Sequence, residues 1–328
     1  MNYLFKILCL APLTLMAYIL ETKQIHLKEY PDAFNPSIIR WEGKLLMSFR
    51  NIANPKDSYN SSEIGVVFLD EDFNQISPAQ ILLKSCRAED ARLIEGNGHL
   101  YMVYSDNEDP ALSKGGFRVH VAKLKEKGNV FTISSKDRLV NFEGADPSLR
   151  EKNWTPLIYE NELLLSYSLN PHLVFKPLLG TGSCETVALT NAPLEWSWGD
   201  LRGGTQFFPV DEHYLTFFHS SIRMASEASG GKEMLHYFMG AATFTKEPPF
   251  KMTQISPTPI IGDDFFKGKI YKPYWGSWRG VFPGGFIVNN DFIWIIYGKQ
   301  NHELWVVKLD KEGLFHSLIP VSNHSDGD

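Results

Sequence analysis

Five stretches of this chain repeat one pattern: an apolar run, a turn, a second apolar run and a polar end. They are FNPSIIRWEGKLLMSFR (Phe34–Arg50), EDARLIEGNGHLYMVYSD (Glu89–Asp106), NWTPLIYENELLLSYSLN (Asn153–Asn170), GGTQFFPVDEHYLTFFHS (Gly203–Ser220) and FPGGFIVNNDFIWIIYGK (Phe282–Lys299). The turns between the runs are Glu42-Gly43, Gly96-Asn97-Gly98, Glu160-Asn161-Glu162, Asp211-Glu212 and Asn289-Asn290-Asp291. Short apolar runs bounded by such residues pair as strands rather than coil into helices. Past residue 25 no long, capped run at helical spacing occurs, so little helix is expected. A hairpin recurring every ~50 to 80 residues points to propeller blades of about four strands each. The expectation is an all-β chain, a five-bladed β-propeller over residues 25–320, followed by a frayed tail at 321–328.

Strand polarity then locates a site. The start of a hairpin's first strand and the end of its second share one edge. In a propeller that edge is one mouth of the central channel. Asn35 and Arg50 therefore join Asp90, Arg92 and Asp106, then Lys152, Asn153 and Asn170, then Arg202 and His219, then Lys299 and Asn301. A mouth lined by charges and aromatics suits a small molecule. For any single residue, a strand end simply meeting solvent explains as much. For the set it explains less, because carboxylates, guanidiniums, an imidazole and an amine collect at one rim.

Composition narrows the classes. The chain has 328 residues, 43% hydrophobic and 13% aromatic, enough for one large buried domain. A net charge of -6 without a basic stripe argues against nucleic acid. No Cys-x-x-Cys or His-x-x-x-His cluster occurs, so no metal is expected. Cys86 and Cys184 either pair or are the cysteines any chain carries by chance; Cys9 lies in an apolar leader. That leader, Ile7–Leu20, is short for a membrane span and of a length for a signal-peptide core. Residues 1–24 read as a signal peptide or, through residues 4–20, a membrane anchor, with a hydrophobic strand inside the fold as the third option. Export or anchoring is the preferred reading. Asn60, Asn153 and Asn323 open glycosylation sequons; Asn153 lies at the expected site, so that match is read as accidental.

The sharpest local motif is Glu89-Asp90-Ala91-Arg92. At a strand start, residues two apart point the same way, so Asp90 and Arg92 should share a face and Glu89 should turn to a neighbouring blade. A structural Asp–Arg pair between blades is the bland alternative. The segment Lys272–Arg279, with Tyr274, Trp275 and Trp278, reads equally as a sugar-stacking loop or as packing on the propeller's side.

These motifs, in order, resemble glycoside hydrolase family 130, the mannoside phosphorylases and β-1,2-mannosidases. Asn35-Pro36, Arg50, the Glu89–Arg92 motif (Ala91 where the family has proline), Lys152, Phe218-His219-Ser220, Tyr237–Ala242, Phe282-Pro283-Gly284-Gly285 and Tyr297-Gly298 carry the resemblance. Asn301 stands where the family often has aspartate. The Trp154-Thr155-Pro156 and Asn170-Pro171-His172 stretches also depart from the usual wording. The resemblance implies a five-bladed propeller acting on β-mannoside-type oligosaccharides with inversion, Asp90 being the proton donor. It implies no cofactor beyond inorganic phosphate as co-substrate. Lys152 and His219 match phosphate positions; Arg202 joins them by rim geometry. Asn35, Arg50, Arg92, Asp106 and Asn301 are the expected substrate-binding residues.

Inverting phosphorolysis needs one acid, phosphate being the nucleophile, whereas inverting hydrolysis needs a second carboxylate. Glu185, Asp106 and Asp146 are the candidates for that base. The rim cations favour phosphate; an exported chain favours hydrolysis or glycosyl transfer. Phosphorolysis is preferred narrowly, and a non-catalytic propeller that binds glycans or proteins is the rival class.

Overall fold

The computed structural model describes residues 18–57, 61–108, 116–269 and 278–321. Its first strand, β1 (Ile19–Ile25), belongs to the last blade. Blade one is β2 (Phe34–Trp41), β3 (Lys44–Ile52), β4 (Ser62–Leu69) and β5 (Gln80–Ser85). Blade two is β6 (Glu89–Gly96), β7 (His99–Asp106), β8 (Arg118–Lys127) and β9 (Val130–Arg138). Blade three is β10 (Thr155–Tyr159), β11 (Glu162–Leu169), β12 (His172–Leu178) and β13 (Ser183–Thr190). Blade four is β14 (Phe208–Val210), β15 (His213–Met224), β16 (Met234–Thr245) and β17 (Met252–Ile255). Blade five is β18 (Trp278–Val288), β19 (Phe292–Lys299), β20 (Glu303–Asp310) and the returning β1. One short helix, α1 (Lys311–Ser317), leads to β21 (Ile319–Pro320), which pairs with β17.

The five sequence repeats are the first two strands of the five blades. Three of their turns use left-handed backbone at two residues: Glu42 and Gly43 have φ of 47° and 76°, Asn97 and Gly98 of 52° and 69°, Glu160 and Asn161 of 48° and 65°. Two-residue turns of this kind match the right-handed twist of the strands they join.

Five apolar clusters stand between successive blades and close the ring. Ile39, Leu46 and Val66 of blade one meet Leu93, Met102 and Ala122 of blade two. Val103 and Val121 meet Leu165 and Phe175 of blade three. Leu157, Leu164 and Val174 then meet Tyr214, Phe218 and Phe244 of blade four. Leu215, Phe217 and Met239 meet Val281, Phe286 and Ile295 of blade five. Finally Ile287, Ile296 and Val306 return to Ile38, Met47 and Val67. Blade five touches blade one so closely that side chains would collide. A Cβ on Gly284 would lie 1.8 Å from the Pro36 carbonyl oxygen, and one on Gly285 2.4 Å from the Ile38 nitrogen. The Phe-Pro-Gly-Gly motif is thus first a packing requirement.

β1 corrects the expected boundary at residue 25. Ile19–Ile25 pairs antiparallel with Leu304–Leu309 of β20, and the Tyr18 carbonyl accepts from the Asp310 N–H at 2.7 Å. Residues 19–24, expected in the leader, are the outer strand of blade five, joining the chain's start to its last blade. Residues 1–17 lie outside the described residues, as do Cys9, the Asn60 and Asn323 sequons, residues 322–328 and most of the Lys272–Arg279 segment. Among the described residues no helix is long and apolar enough to cross a membrane. Cys86 and Cys184 are free, and burial raises the Cys184 thiol to about 12.

A chain starting at Tyr18 should fold like the full chain, whereas one starting at His26 should lose the partner of β20. Its buried Ile25 and the exposed β20 edge predict a loss of several kcal/mol and a melting temperature lower by roughly 5 °C or more. Thermal melts of the two truncations check this; equal melting temperatures would contradict it.

Candidate active site

A cavity of about 340 Å³ opens at the channel mouth. Blade one supplies Asn35 and Arg50, blade two Glu89 and Asp90, and the loop preceding blade three Arg150, Lys152 and Asn153. Blade four and its approach supply Arg202, His219, Arg223, Leu235 and Tyr237, and blade five Phe282 and Asn301. Arg87 and Phe117 complete the lining. Seven of the nine residues expected at the site are therefore together: Asn35, Arg50, Asp90, Lys152, Arg202, His219 and Asn301.

Local backbone explains how they converge. The inner strands of blades one, two and five carry register shifts at their mouth ends, between Phe34 and Ser37, Glu89 and Arg92, and Pro283 and Gly285. Asn35, Asp90, Asn153 and Asn301 adopt left-handed φ of 45°, 60°, 65° and 53°. Asn and Asp tolerate this region better than other side-chain-bearing residues. A bulge of this kind breaks the two-residue alternation and re-aims side chains.

The break decides the Glu-Asp-Ala-Arg motif. Glu89 was expected to turn to a neighbouring blade; its carboxylate does meet Arg50 of blade one at 3.1 Å, and it also lines the cavity beside Asp90. Arg92 was expected to bind substrate; it does not line the cavity. Its guanidinium donates to the carbonyls of Gly204 at 2.5 Å, Gly203 at 3.1 Å and Asp90 at 3.0 Å. It is a buried strut from blade two to the approach of blade four. Burial lowers its pKa to about 10 against the opposing pull of Asp90 and Glu89, leaving it charged at neutral pH. Asp106 is likewise outside the lining. Only 1% exposed, its carboxylate accepts from Ser85 Oγ at 2.7 Å, and burial raises its pKa. It closes the seam between blades one and two because the last side chain of β7 faces the end of β5. Asn170 and Lys299, expected on the rim, also stand outside the lining; Lys299 is buried over Trp305, 4.4 Å from its ring.

Charge is distributed unevenly. Glu89 is paired with Arg50 at 3.1 Å, Arg150 at 3.3 Å and Lys152 at 3.7 Å. Burial opposes its charge, but Lys152, Arg50 and Arg150 together hold its pKa below the ordinary value. Asp90 instead accepts from the Asn35 amide at 2.8 Å. Asn35 Oδ1 and Asn153 Oδ1 are buried acceptors without a partner among the described residues, suited to hydroxyl donors. His219 is pushed well below its ordinary pKa by burial and then by Arg92, Arg202 and Lys152, so it is a neutral imidazole. Its ring lies against Phe282 at 4.6 Å and stacks on Tyr237 at 6.2 Å. Cations outnumber carboxylates in the lining: Arg50, Arg87, Arg150, Lys152, Arg202 and Arg223 against Glu89 and Asp90. Among the described residues no cluster could hold a metal ion.

Sequence reading missed Arg87, Arg150, Arg223 and Tyr237. Arg150 lies two residues before Lys152 in the loop that leads into β10. Arg87 carries no signal; Arg223 continues the period of His219 only because β15 is long enough to reach it, and Tyr237 opens a motif that was not read as part of the site.

No family model matches the chain, and no curated protein matches it. Solved structures do. A mannose phosphorylase from Leishmania mexicana, MPT-4, in complex with phosphate aligns with a TM-score of 0.60 at 11% identity, covering 93% of this chain and 92% of that one. A β-1,2-mannobiose phosphorylase from Listeria innocua, in complex with β-1,2-mannobiose, aligns at 0.59 and 16% identity, covering 90% and 92%. A structure from glycoside hydrolase family 130, described with hydrolases that target β-1,2-mannosidic linkages in Candida mannan, aligns at 0.62 and 12%, covering 86% and 85%. The fold is that of these solved structures, one of them from family 130. At such identities the likeness is one of fold.

Glu89→Gln should leave Arg50, Arg150 and Lys152 unbalanced. The expected loss is about 3 kcal/mol in denaturant unfolding, the low end for a buried pair because Arg150 and Lys152 are partly exposed. Since the folded carboxylate titrates below 4.5, its contribution is full above that pH and is lost as pH falls through the folded value. The wild-type advantage should thus be largest at neutral pH and shrink in acid.

Proposed function

We propose that the chain is an inverting glycoside-active enzyme that phosphorolyses a β-mannoside-type oligosaccharide, with Asp90 as proton donor. The observation that carries this reading is the division of labour between the two carboxylates. Glu89 is engaged by three cations, and Asp90 is the one cavity carboxylate without a cationic contact within ion-pair distance among the described residues. One acid and no second available carboxylate fits phosphate as the nucleophile better than water. Glu185, Asp106 and Asp146, the earlier candidates for a hydrolytic base, do not line the cavity.

In this reading the phosphate lies against Lys152 and Arg202, with neutral His219 donating one N–H. A phosphate oxygen attacks the anomeric carbon from the face opposite the leaving sugar. The glycosidic bond breaks with its electron pair on the leaving oxygen, and that oxygen takes the proton of Asp90, directly or through a sugar hydroxyl. The products are an inverted sugar 1-phosphate and a shortened oligosaccharide. Asn35 steadies the Asp90 carboxyl; the orphan oxygens of Asn35 and Asn153 suit sugar hydroxyls. Solved relatives in fold that act on mannosides, one of them holding phosphate, support the same class.

Turnover of manno-oligosaccharides should require phosphate, and Asp90→Asn should slow it by ~10²–10⁴-fold, the usual contribution of a positioned acid. Phosphate-independent release would instead favour hydrolysis. Binding without turnover, unchanged by Asp90→Asn, would favour a non-catalytic glycan-binding propeller.

A further inference from the structure

Blade four differs from the others at the mouth. β15 and β16 are each 12 residues long, whereas the second and third strands of the other blades run to 7–10. The excess lies at the cavity end. Beyond the His219↔Met239 pair, the ladder continues from Ser220↔Phe238 to Met224↔Met234. The extension leans across to blade five, where Leu235, His236 and Tyr237 run parallel to Trp278, Arg279 and Gly280.

This hairpin is pinned. Arg279 donates to the Ala228 carbonyl at 2.8 Å, Ser226 Oγ bonds His236 Nε2 at 2.7 Å, and Ser226 and Ser229 cap each other reciprocally. It is a wall rather than a flap. Along β15 the two-residue period brings His219, Ser221 and Arg223 to one face. Arg223 lies about 13 Å along the strand from His219. Arg223, Leu235 and Tyr237 line the same cavity as Asp90. Arg223 has no ion pair among the described residues, and the cavity's carboxylates, Glu89 and Asp90, are held lower down by Arg50 and Asn35.

We propose that this wall forms an outer subsite whose Arg223 takes an anionic group, a phosphate ester or a carboxylate, on the sugar that leaves from Asp90. The proposal rests on the reading of Asp90 as the acid and deepens it, because it makes the preferred substrate an anionic oligosaccharide. Phosphate at Lys152 and Arg202 uses the inner cations. Arg223 stands about 13 Å further along β15 than His219, and a guanidinium suits a second, bidentate anion.

Calorimetric binding tests this without turnover. The probes are mannose, mannose 6-phosphate, mannuronate and inorganic phosphate, on the wild type and on Arg223→Gln. At low salt at least one anionic sugar should bind the wild type about tenfold or more tighter than mannose. Arg223→Gln should erase that advantage and leave inorganic phosphate binding and the melting temperature unchanged. Preference for the 6-phosphate identifies an ester, and preference for mannuronate a carboxylate. Equal binding of all three sugars by the wild type, or an advantage that survives in Arg223→Gln, overturns the proposal. Neither result depends on Asp90, whose role is judged separately by the phosphate-dependent turnover of Asp90→Asn.

Discussion

The site depends on one backbone irregularity. At the start of β6 the chain bulges, with Asp90 in the left-handed region at φ 60°. A regular strand would send Glu89 away from Asp90 and bring Arg92 alongside it. The bulge instead delivers both carboxylates to the cavity and frees Arg92 to bind three carbonyls, two of them from Gly203 and Gly204. The bulge therefore sets the charge pattern of the mouth and also ties blade two to the approach of blade four. Asn35 and Gly284 mark comparable irregularities in blades one and five, so the floor of the cavity is built from broken alternation in several blades.

Around that floor, electrostatics separates two carboxyl groups one residue apart. Glu89 sits among Arg50, Arg150 and Lys152 and stays ionised despite burial. Asp90 meets an amide instead. Two acids with different surroundings can take different roles, which is how paired carboxylates are usually divided between chemistry and support. Here the supporting acid gathers cations, and the cations in turn suit an anionic co-substrate.

Much of this was legible in the chain. Three of the repeats turn on pairs such as Glu42-Gly43 and Asn97-Gly98, which accept left-handed backbone. Strand polarity correctly gathered Asn35, Arg50, Asp90, Lys152, Arg202, His219 and Asn301. Illegible were the features that depend on a departure from regular strands. Period two fails at a bulge, so Glu89 joins Asp90 at the cavity while still reaching Arg50 of blade one, and Arg92 leaves the lining. Asp106 is polar, but it faces the β5 edge rather than the channel. Arg223 reaches the cavity only because β15 overshoots its counterparts, and strand length is poorly marked in residue pattern. The start of β1 was assigned to the leader because the apolar run Ile7–Leu20 ends in Ile19 and Leu20, the first two residues of β1; its pairing with β20 is a contact across nearly the whole chain.

The central claim is that phosphate, not water, receives the sugar at Asp90. Phosphorus and proton NMR of a single reaction with a β-mannoside tests it most directly. The account predicts a new phosphate ester signal and an α-anomeric sugar 1-phosphate, formed in proportion to the glycoside consumed. Free reducing mannose accumulating with the inorganic phosphate signal unchanged would contradict it.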